Sequence, residues 1–592
     1  MSNETTSTSF IGNLGRRSLV WLAGVILLTG LPGLLTAQTT RPGQTAGEAA
    51  GPITFHPGPP GKRPKLVVWI TIDAMRGDLP LRYRNPAARK GWRFLLDNGL
   101  YYSNAHYGYS TTFTAVGHAT LFTGAHTAQH GIAGNEWYDL PKHKMIGAVD
   151  DERYPVLGPD GGSKEGFSPA NLTASTVGDE LVLASGRRSR VFSVSFKNRS
   201  AIFPGGHLGK AFWYNKKDGT FITTKYYYKD YPAWVAAWNK SAPADRFRSQ
   251  VWTLKDDPAT YVHRDQDDCP YERGYKYLGR TFPHSMATDK AADFYAALQD
   301  TPFGDALTLQ FARELLLREK LGLGGQTDML AISLSSTDGI HHSWGPSSLE
   351  AEDNVRQFDD TLGRFFAFLN DYIGLGSVLM IVSADHGIDD IPEYKQSLGY
   401  DAGRHYPDKF MRAINDALKE RFKIGQDLLL AFWNPSLYLD VEVIKQLNLD
   451  QEKVERAVAD EVLRTPGFAV AVTRTDLLAG RLTDTPINRR LQQSFHPTRS
   501  GQVLVVPAQF WYLYPEPQAA AAMHGTPYAY DTFVPIFVAG AAVRPGIIHR
   551  PVQPEDLAST VAAILGLEPP SGNVGTLLAE VVEAMQSPCL AH

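Results

Sequence analysis

Six residues of metal-ligating type, Asp73, Asp338, His342, Asp385, His386 and His524, mostly stand where apolar runs end, and Thr114 lies among them in the chain. Asp338 and His342 form a D-x3-H pair. If that segment turns helically, both share a face and can hold one ion. His524, in MHGTP, offers a third ligand from a distant loop. Asp385 and His386 are adjacent and cannot share a helix face, but at a strand end neighbours reach different sides of a metal. Asp73 adds another carboxylate. Three Asp and three His are enough for two zinc-like sites with open positions. Two divalent ions about 3.5–4 Å apart suit in-line displacement at phosphorus, one activating the attacking oxygen and the other stabilising the leaving oxygen. Taken singly, an Asp after a strand is often a helix N-cap and a lone His a hydrogen-bonded core or surface residue. His106, His126, His130 and His341 keep that plainer reading, so the weight lies on the joint pattern.

The elements that must position these residues are legible as three runs, KLVVWITID (65–73), DMLAISLSSTD (328–338) and SVLMIVSADH (377–386). Each is apolar throughout and rich in Val, Ile and Leu, as a strand buried on both faces of a parallel sheet is. Ligands of open α/β folds bind outside the carboxyl ends of such strands. Three carboxylates delivered to one edge are costly unless a cation collects them. After Thr114, AVGHATLFTG predicts a short helix stopped by Gly124. SRVFSVSFKNR (189–199) predicts a further strand with a polar end, where Lys197 and Arg199 alternate and so point to one face. FVPIFVAG (533–540) predicts another core strand and DLASTVAAILGL (556–567) a closing helix.

The bulk properties exclude several classes. A chain of 592 residues with 43% apolar and 20% charged residues has material for a large globular core. A formal charge of −4 gives no sign of nucleic-acid binding. Its two cysteines, Cys269 and Cys589, cannot form a thiolate metal site, which leaves His and Asp as ligands; pairing between them stays open. Arg16 and Arg17 precede an apolar run from Leu19 to Leu35, and Ala37 then offers a small-residue cleavage site. The run is short for a membrane span and is broken by Gly30, Pro32 and Gly33. Residues 1–37 therefore read as an export signal, Sec or weakly Tat-like, and the mature protein as periplasmic or secreted, without a membrane span after cleavage.

Residues 38–64 form a Pro-, Gly- and Thr-rich lead-in. Residues 65–394 are expected to form a catalytic α/β core, with an aromatic, turn-rich elaboration at about 205–300. Residues 395–520, which include the amphipathic KVERAVADEVLRT and the strand-like QVLVVPAQFWYLY, read as an inserted cap. Residues 521–592 return to the core and its C-terminal tail.

VVWITIDAMRGD, TTFTAVGHATLFTG with HGIAGNEWYD, STDGIHHSWGP, SADHGI and MHGTP together resemble the alkaline phosphatase superfamily, in its single-chain, zinc-dependent bacterial branch of the PafA type. The resemblance covers roughly residues 65–570. It implies an α/β fold, a central mostly parallel sheet flanked by helices with inserted cap-like segments. It implies Thr114 as nucleophile, ahead of Thr111 and Thr112, with His118 in a Thr-x3-His pattern. It places Asp338, His342 and His524 on one Zn2+, and Asp73, Asp385, His386 and the Thr114 oxygen on a second. A threonine hydroxyl is a weak nucleophile that metal coordination activates, and a helix starting at Thr114 would turn free N–H groups toward a phosphoryl group. The branch also carries a K-x-R pair and an Asn, matched here by Lys197, Arg199 and Asn135. Related nucleotide pyrophosphatase/phosphodiesterases lack that pair. A monoester dianion carries one more charge than a diester, so two extra cations favour it. The expected activity is hydrolysis of small-molecule phosphate monoesters through a phospho-threonine intermediate, by a monomer. The alternatives are a phosphodiesterase of the same superfamily and a non-catalytic phosphate- or metal-binding protein, against which the intact Thr114 counts. A sulfatase would need a Cys or Ser for conversion to formylglycine, and no Cys lies near Thr114.

Overall fold

The computed structural model describes residues 53–88, 90–158, 165–514 and 519–586; the expected export signal and Cys589 lie outside these. A nine-stranded sheet forms the centre, flanked by helices. In order its strands are Gly546–Ile548, Gly99–His106, Phe533–Gly540, Val378–Ser383, Leu66–Ile72, Asp328–Leu334, Val191–Ser195, Lys210–Tyr214 and Phe221–Ile222. The three runs singled out in the sequence are the strands Leu66–Ile72, Asp328–Leu334 and Val378–Ser383, side by side, parallel and buried at every residue. Burying each Val, Leu or Ile side chain in them contributes about 1.5–3 kcal/mol. Two of the nine strands, Lys210–Tyr214 and Phe221–Ile222, come from inside the 205–300 segment.

Register decides where the chemistry falls. Thr71 pairs with both Ser333 and Ser383, so the three strands end level. Asp73 and Asp385 then stand two residues beyond the matched positions. The chain from Ser333 enters the helix Ser336–Trp344, which carries Asp338 and His342. The strand Phe533–Gly540 is antiparallel to Val378–Ser383. It therefore begins at the edge where the others finish, and the loop that precedes it brings His524 there.

A second antiparallel sheet has four strands, in the order Leu429–Trp433, Ser436–Leu439, Val503–Pro507 and Phe468–Thr473. The helix Gln451–Arg464 starts at Asp450, whose side chain accepts the Lys453 N–H. It buries Val454, Ala457, Val458 and Val462, a helical stripe, against Leu437, Val503 and Val505. QVLVVPAQFWYLY splits into the strands Val503–Pro507 and Trp511–Leu513. Among the described residues no helix is long and apolar enough to cross a membrane.

Candidate metal centre and nucleophile

Asp73, Asp338, His342, Asp385, His386, His524 and Thr114 meet at the carboxyl edge of the sheet. Asp338 Oδ1 lies 3.2 Å from His342 Nε2 and 3.8 Å from His524 Nε2. His386 Nε2 lies 3.5 Å from Asp73 Oδ1, 3.6 Å from Asp385 Oδ2 and 3.5 Å from Thr114 Oγ1. Two sets of ligand atoms lie within 4.8 Å of one another, Asp338–His342–His524 and Asp73–Asp338–His386. Asp338 thus belongs to both sets, although the sequence motifs assign it to one. Asp385 lies outside the second set; its Oδ1 accepts the Ala74 N–H at 3.1 Å.

Each of the three rings is turned for ligation. His342 Nδ1 stands 2.8 Å from the Ala522 carbonyl oxygen, His386 Nδ1 2.8 Å from that of Gly387, and His524 Nδ1 2.8 Å from that of Thr112. A carbonyl can only accept, so each Nδ1 holds a proton and each Nε2 faces inward. The carboxylates are equally prepared. Asp73 and Asp385 are fully buried and Asp338 nearly so, yet Asp73 Oδ1, Asp338 Oδ1 and Asp385 Oδ2 accept no hydrogen bond. Unsatisfied buried carboxylate oxygens beside inward-facing Nε2 atoms are a donor set suited to divalent cations.

Among the described residues Lys197 Nζ is the one ammonium in direct contact with these carboxylates, 2.6 Å from Asp73 Oδ2 and 2.5 Å from Asp338 Oδ2. Burial draws its pKa down, but Asp338 and Asp73 more than offset this and hold it above the ordinary lysine value. Burial together with the charge of Asp385 raises Asp73 well above the usual carboxylate range. Asp338 is held well below that range, because His342 and Lys197 outweigh its burial. Burial keeps His386 and His524 below the usual imidazole value, hence neutral and able to ligate.

Thr114 opens the helix Thr114–Thr123, which Gly124 ends in the left-handed conformation at φ 62°. His118, one turn on, is a positioning residue. Its Nδ1 lies 2.8 Å from the Thr114 carbonyl oxygen and 3.2 Å from Asp385 Oδ2, and its Nε2 2.8 Å from Ser333 Oγ. The Thr112 hydroxyl donates to the Thr526 carbonyl, whereas Thr111 Oγ1 is buried without a partner. Asn135 Oδ1 accepts the Ala115 N–H at 2.8 Å. Of the N–H groups at this helix start, that of Ala115 is thus already satisfied. His341 is buried, and burial, with the charge of Arg76, lowers its pKa to about 3.

Lys197 and Arg199 do not share a strand face. The strand ends at Ser195, whose Oγ accepts the Lys197 N–H and bends the chain; Lys197 then precedes the helix Asn198–Gly205, with Arg199 in its first turn. Arg199 Nε is buried without a hydrogen-bond partner, and its charge acts on Glu136, the neighbour of Asn135. Sequence reasoning missed the carbonyls that orient the histidines. It also missed Asp300, buried against the helix that carries Asp338 and His342.

Comparison with known proteins agrees with this geometry. Residues 67–527 match the family model described as Type I phosphodiesterase / nucleotide pyrophosphatase. The chain is 32% identical to alkaline phosphatase PhoV of Synechococcus elongatus over 88% of this chain and 93% of that protein. It is 32% identical to a Myroides odoratus protein named calcium-transporting ATPase, over 88% of this chain and 95% of the other. It is 32% identical to alkaline phosphatase PafA of Elizabethkingia meningoseptica over 95% of this chain and 98% of that protein. A crystal structure of wild-type PafA superposes with a TM-score of 0.82 at 31% identity, covering 88% of this chain and 99% of the other.

Proposed function

From the premise that the chain belongs to the Type I phosphodiesterase / nucleotide pyrophosphatase family, we propose that it is a metal-dependent alkaline phosphatase acting on phosphate monoesters. The observation that carries this reading is the convergence of Thr114, three inward-facing histidines and three buried carboxylates on one sheet edge, with Lys197 and Arg199 beside them. Asp338, His342 and His524 would hold one zinc ion. Asp73, Asp385 and His386 would hold a second, with Asp338 close enough to serve both. When bound, such ions supply Lewis acidity to the attacking and leaving oxygens.

The chain's own residues do the rest. Thr114 Oγ1 forms the bond to phosphorus as the ester oxygen departs on the opposite side, which leaves phospho-threonine; water then cleaves that ester and restores the hydroxyl. His118 fixes the first turn of the nucleophile helix through the Thr114 carbonyl. Asn135 accepts from the helix start, so its Nδ2 is left to donate to a phosphoryl oxygen. Arg199 presents a planar fork to the same group. Lys197 stands between the two ligand sets, where a change of side-chain rotamer carries its Nζ from Asp73 and Asp338 to a phosphoryl oxygen.

The family model also describes phosphodiesterases, and the two readings separate by experiment. kcat/KM is measured for a monoester and a diester bearing the same leaving group, with metal content determined on the same sample. A monoester preference of several orders of magnitude is expected; a diester preference would overturn the monoesterase reading. Export from the cytoplasm, inferred from residues 1–37, completes the proposal.

A further inference from the structure

The 205–300 segment places a cation at the mouth of the site that the mechanism above does not use. The strand Lys210–Tyr214 runs parallel beside Val191–Ser195, with Trp213 opposite Ser195. The chain leaving it therefore reaches the edge where Lys197 stands. Phe196 and Tyr214 stack at 4.1 Å and tie the two exits together. A turn then closes through the Gly219 N–H, which donates to the Asn215 carbonyl at 2.9 Å, and the turn exposes Lys216. Among the described residues Lys216 forms no salt bridge, whereas its neighbour Lys217 lies 3.6 Å from Glu165.

Lys216 is exposed, and the charges that act on it are those of Asp300, Lys197, Arg199 and Asp338. Asp300 is 6% exposed and lies against the helix that carries the metal-type residues: a Cβ on Gly339 would meet Asp300 Oδ1 at 2.8 Å. The charges acting most on Asp300 are those of Lys216, Asp338, His342 and Lys197. Asp338 and His342 belong to that helix, whereas Thr114 Oγ1 stands 3.5 Å from His386 Nε2 in the other half of the site. In-line displacement puts the departing oxygen opposite the nucleophile. The Lys216–Asp300 side is thus the side on which the leaving group emerges.

We propose that Lys216 reads the leaving group, favouring phosphate monoesters whose alcohol carries an anionic group of its own, such as a carboxylate or a second phosphate. Asp300 stands behind it as the counter-charge that holds the ammonium at the mouth. The inference rests on the phosphatase reading. An exposed lysine without a salt bridge has no packing role to lose, so its replacement leaves the fold intact.

The test compares phenyl phosphate with meta-carboxyphenyl phosphate on metal-replete full-length protein, in the wild type, Lys216→Met, Lys216→Arg and Lys217→Met. Comparing each variant with the wild type cancels the intrinsic reactivity of the two leaving groups. Lys216→Met should lower kcat/KM for the carboxylated ester by on the order of tenfold, the scale of one charge-assisted contact open to water. Phenyl phosphate should change by less than about twofold on the same scale. Lys216→Arg should restore most of the difference, Lys217→Met should leave the ratio unchanged, and added salt should shrink it. An equal effect on both esters, or the same loss in Lys217→Met, overturns the assignment and leaves the phosphatase reading standing. A wild type that hydrolyses neither ester overturns that reading, and this inference with it.

Discussion

Gly117→Ala tests whether the packing of the nucleophile helix sets the rate. Gly117 lies in the first turn of Thr114–Thr123, against the backbone of Asp385. A Cβ there would stand 2.1 Å from the Asp385 carbonyl oxygen and 2.7 Å from both its carbonyl carbon and its Cβ. Ordinary contact begins near 3.4 Å, so the shortfall is about 1.3 Å and falls on backbone that no rotamer change can clear. Asp385 is fixed by the Ala74 N–H, and the Tyr107 hydroxyl donates to the Ala384 carbonyl at 2.8 Å. The helix must therefore give way, and Thr114 Oγ1 must move from its place beside His386. Two stability effects oppose each other: alanine gains about 1 kcal/mol over glycine inside a helix, and overpacking costs about 1–3 kcal/mol. The net destabilisation should be no more than about 2 kcal/mol. Misplacing the nucleophile by about 1 Å should cost on the order of 10²-fold in rate. The assay is kcat/KM for phenyl phosphate on metal-replete protein, with the urea midpoint measured in parallel. A folded variant within twofold of the wild-type rate would refute the reasoning, since the close approach at Gly117 would then not fix the nucleophile.

Thr114→Ala should lower monoester hydrolysis by about 10³-fold or more while the fold survives; phosphate trapped on Thr111 or Thr112 would show that another hydroxyl attacks. Lys197→Ala/Arg199→Ala should cost on the order of 10²-fold per contact on the monoester and far less on the diester, and equal losses on both substrates would promote the phosphodiesterase reading. Metal analysis should find about two zinc ions per chain, removed by chelators together with activity; full activity with one ion or none would reject the two-ion site. Exported protein should begin near Gln38, and N-terminal sequencing that finds Met1 intact would end the cleavage proposal.

The strands that carry Asp73, Asp338 and Asp385 were legible because a strand buried on both faces has no polar position to blur its run. The helix stop at Gly124 was legible because a left-handed cap favours glycine. Legibility failed where the backbone does the positioning. The carbonyls of Thr112, Gly387 and Ala522 that turn the three rings have no residue-type signature. The K-x-R pair was placed on a strand because alternation reads as extended chain. A local bond, from the Lys197 N–H to Ser195 Oγ, breaks that extension and sends Arg199 into a helix instead. Nor does a motif reveal that Asp338 belongs to both ligand sets, since that follows from the register of three strands.

The charge balance links the fold to the chemistry. Asp73, Asp338 and Asp385 bring three carboxylates into one buried volume, and among the described residues Lys197 is the one ammonium in direct contact with any of them. Burial keeps His386 and His524 neutral, whereas at His342 Asp338 offsets burial and holds the pKa above the usual imidazole value, so three carboxylates face two cations, Lys197 and His342. Burial, and then the charge of Asp385, hold the Asp73 pKa well above the usual range despite Lys197 at 2.6 Å. A fold under selection for stability alone would replace such a cluster with apolar side chains of similar volume, which often stabilises a protein. Keeping it, with the Nε2 atoms turned inward and the carboxylate oxygens unsatisfied, makes physical sense where cations enter the site and the stability given up returns as binding. The same deficit explains the lysine. Lys197 partly neutralises Asp73 and Asp338, and on the proposed phosphatase reading an incoming dianion would compete with them for its ammonium.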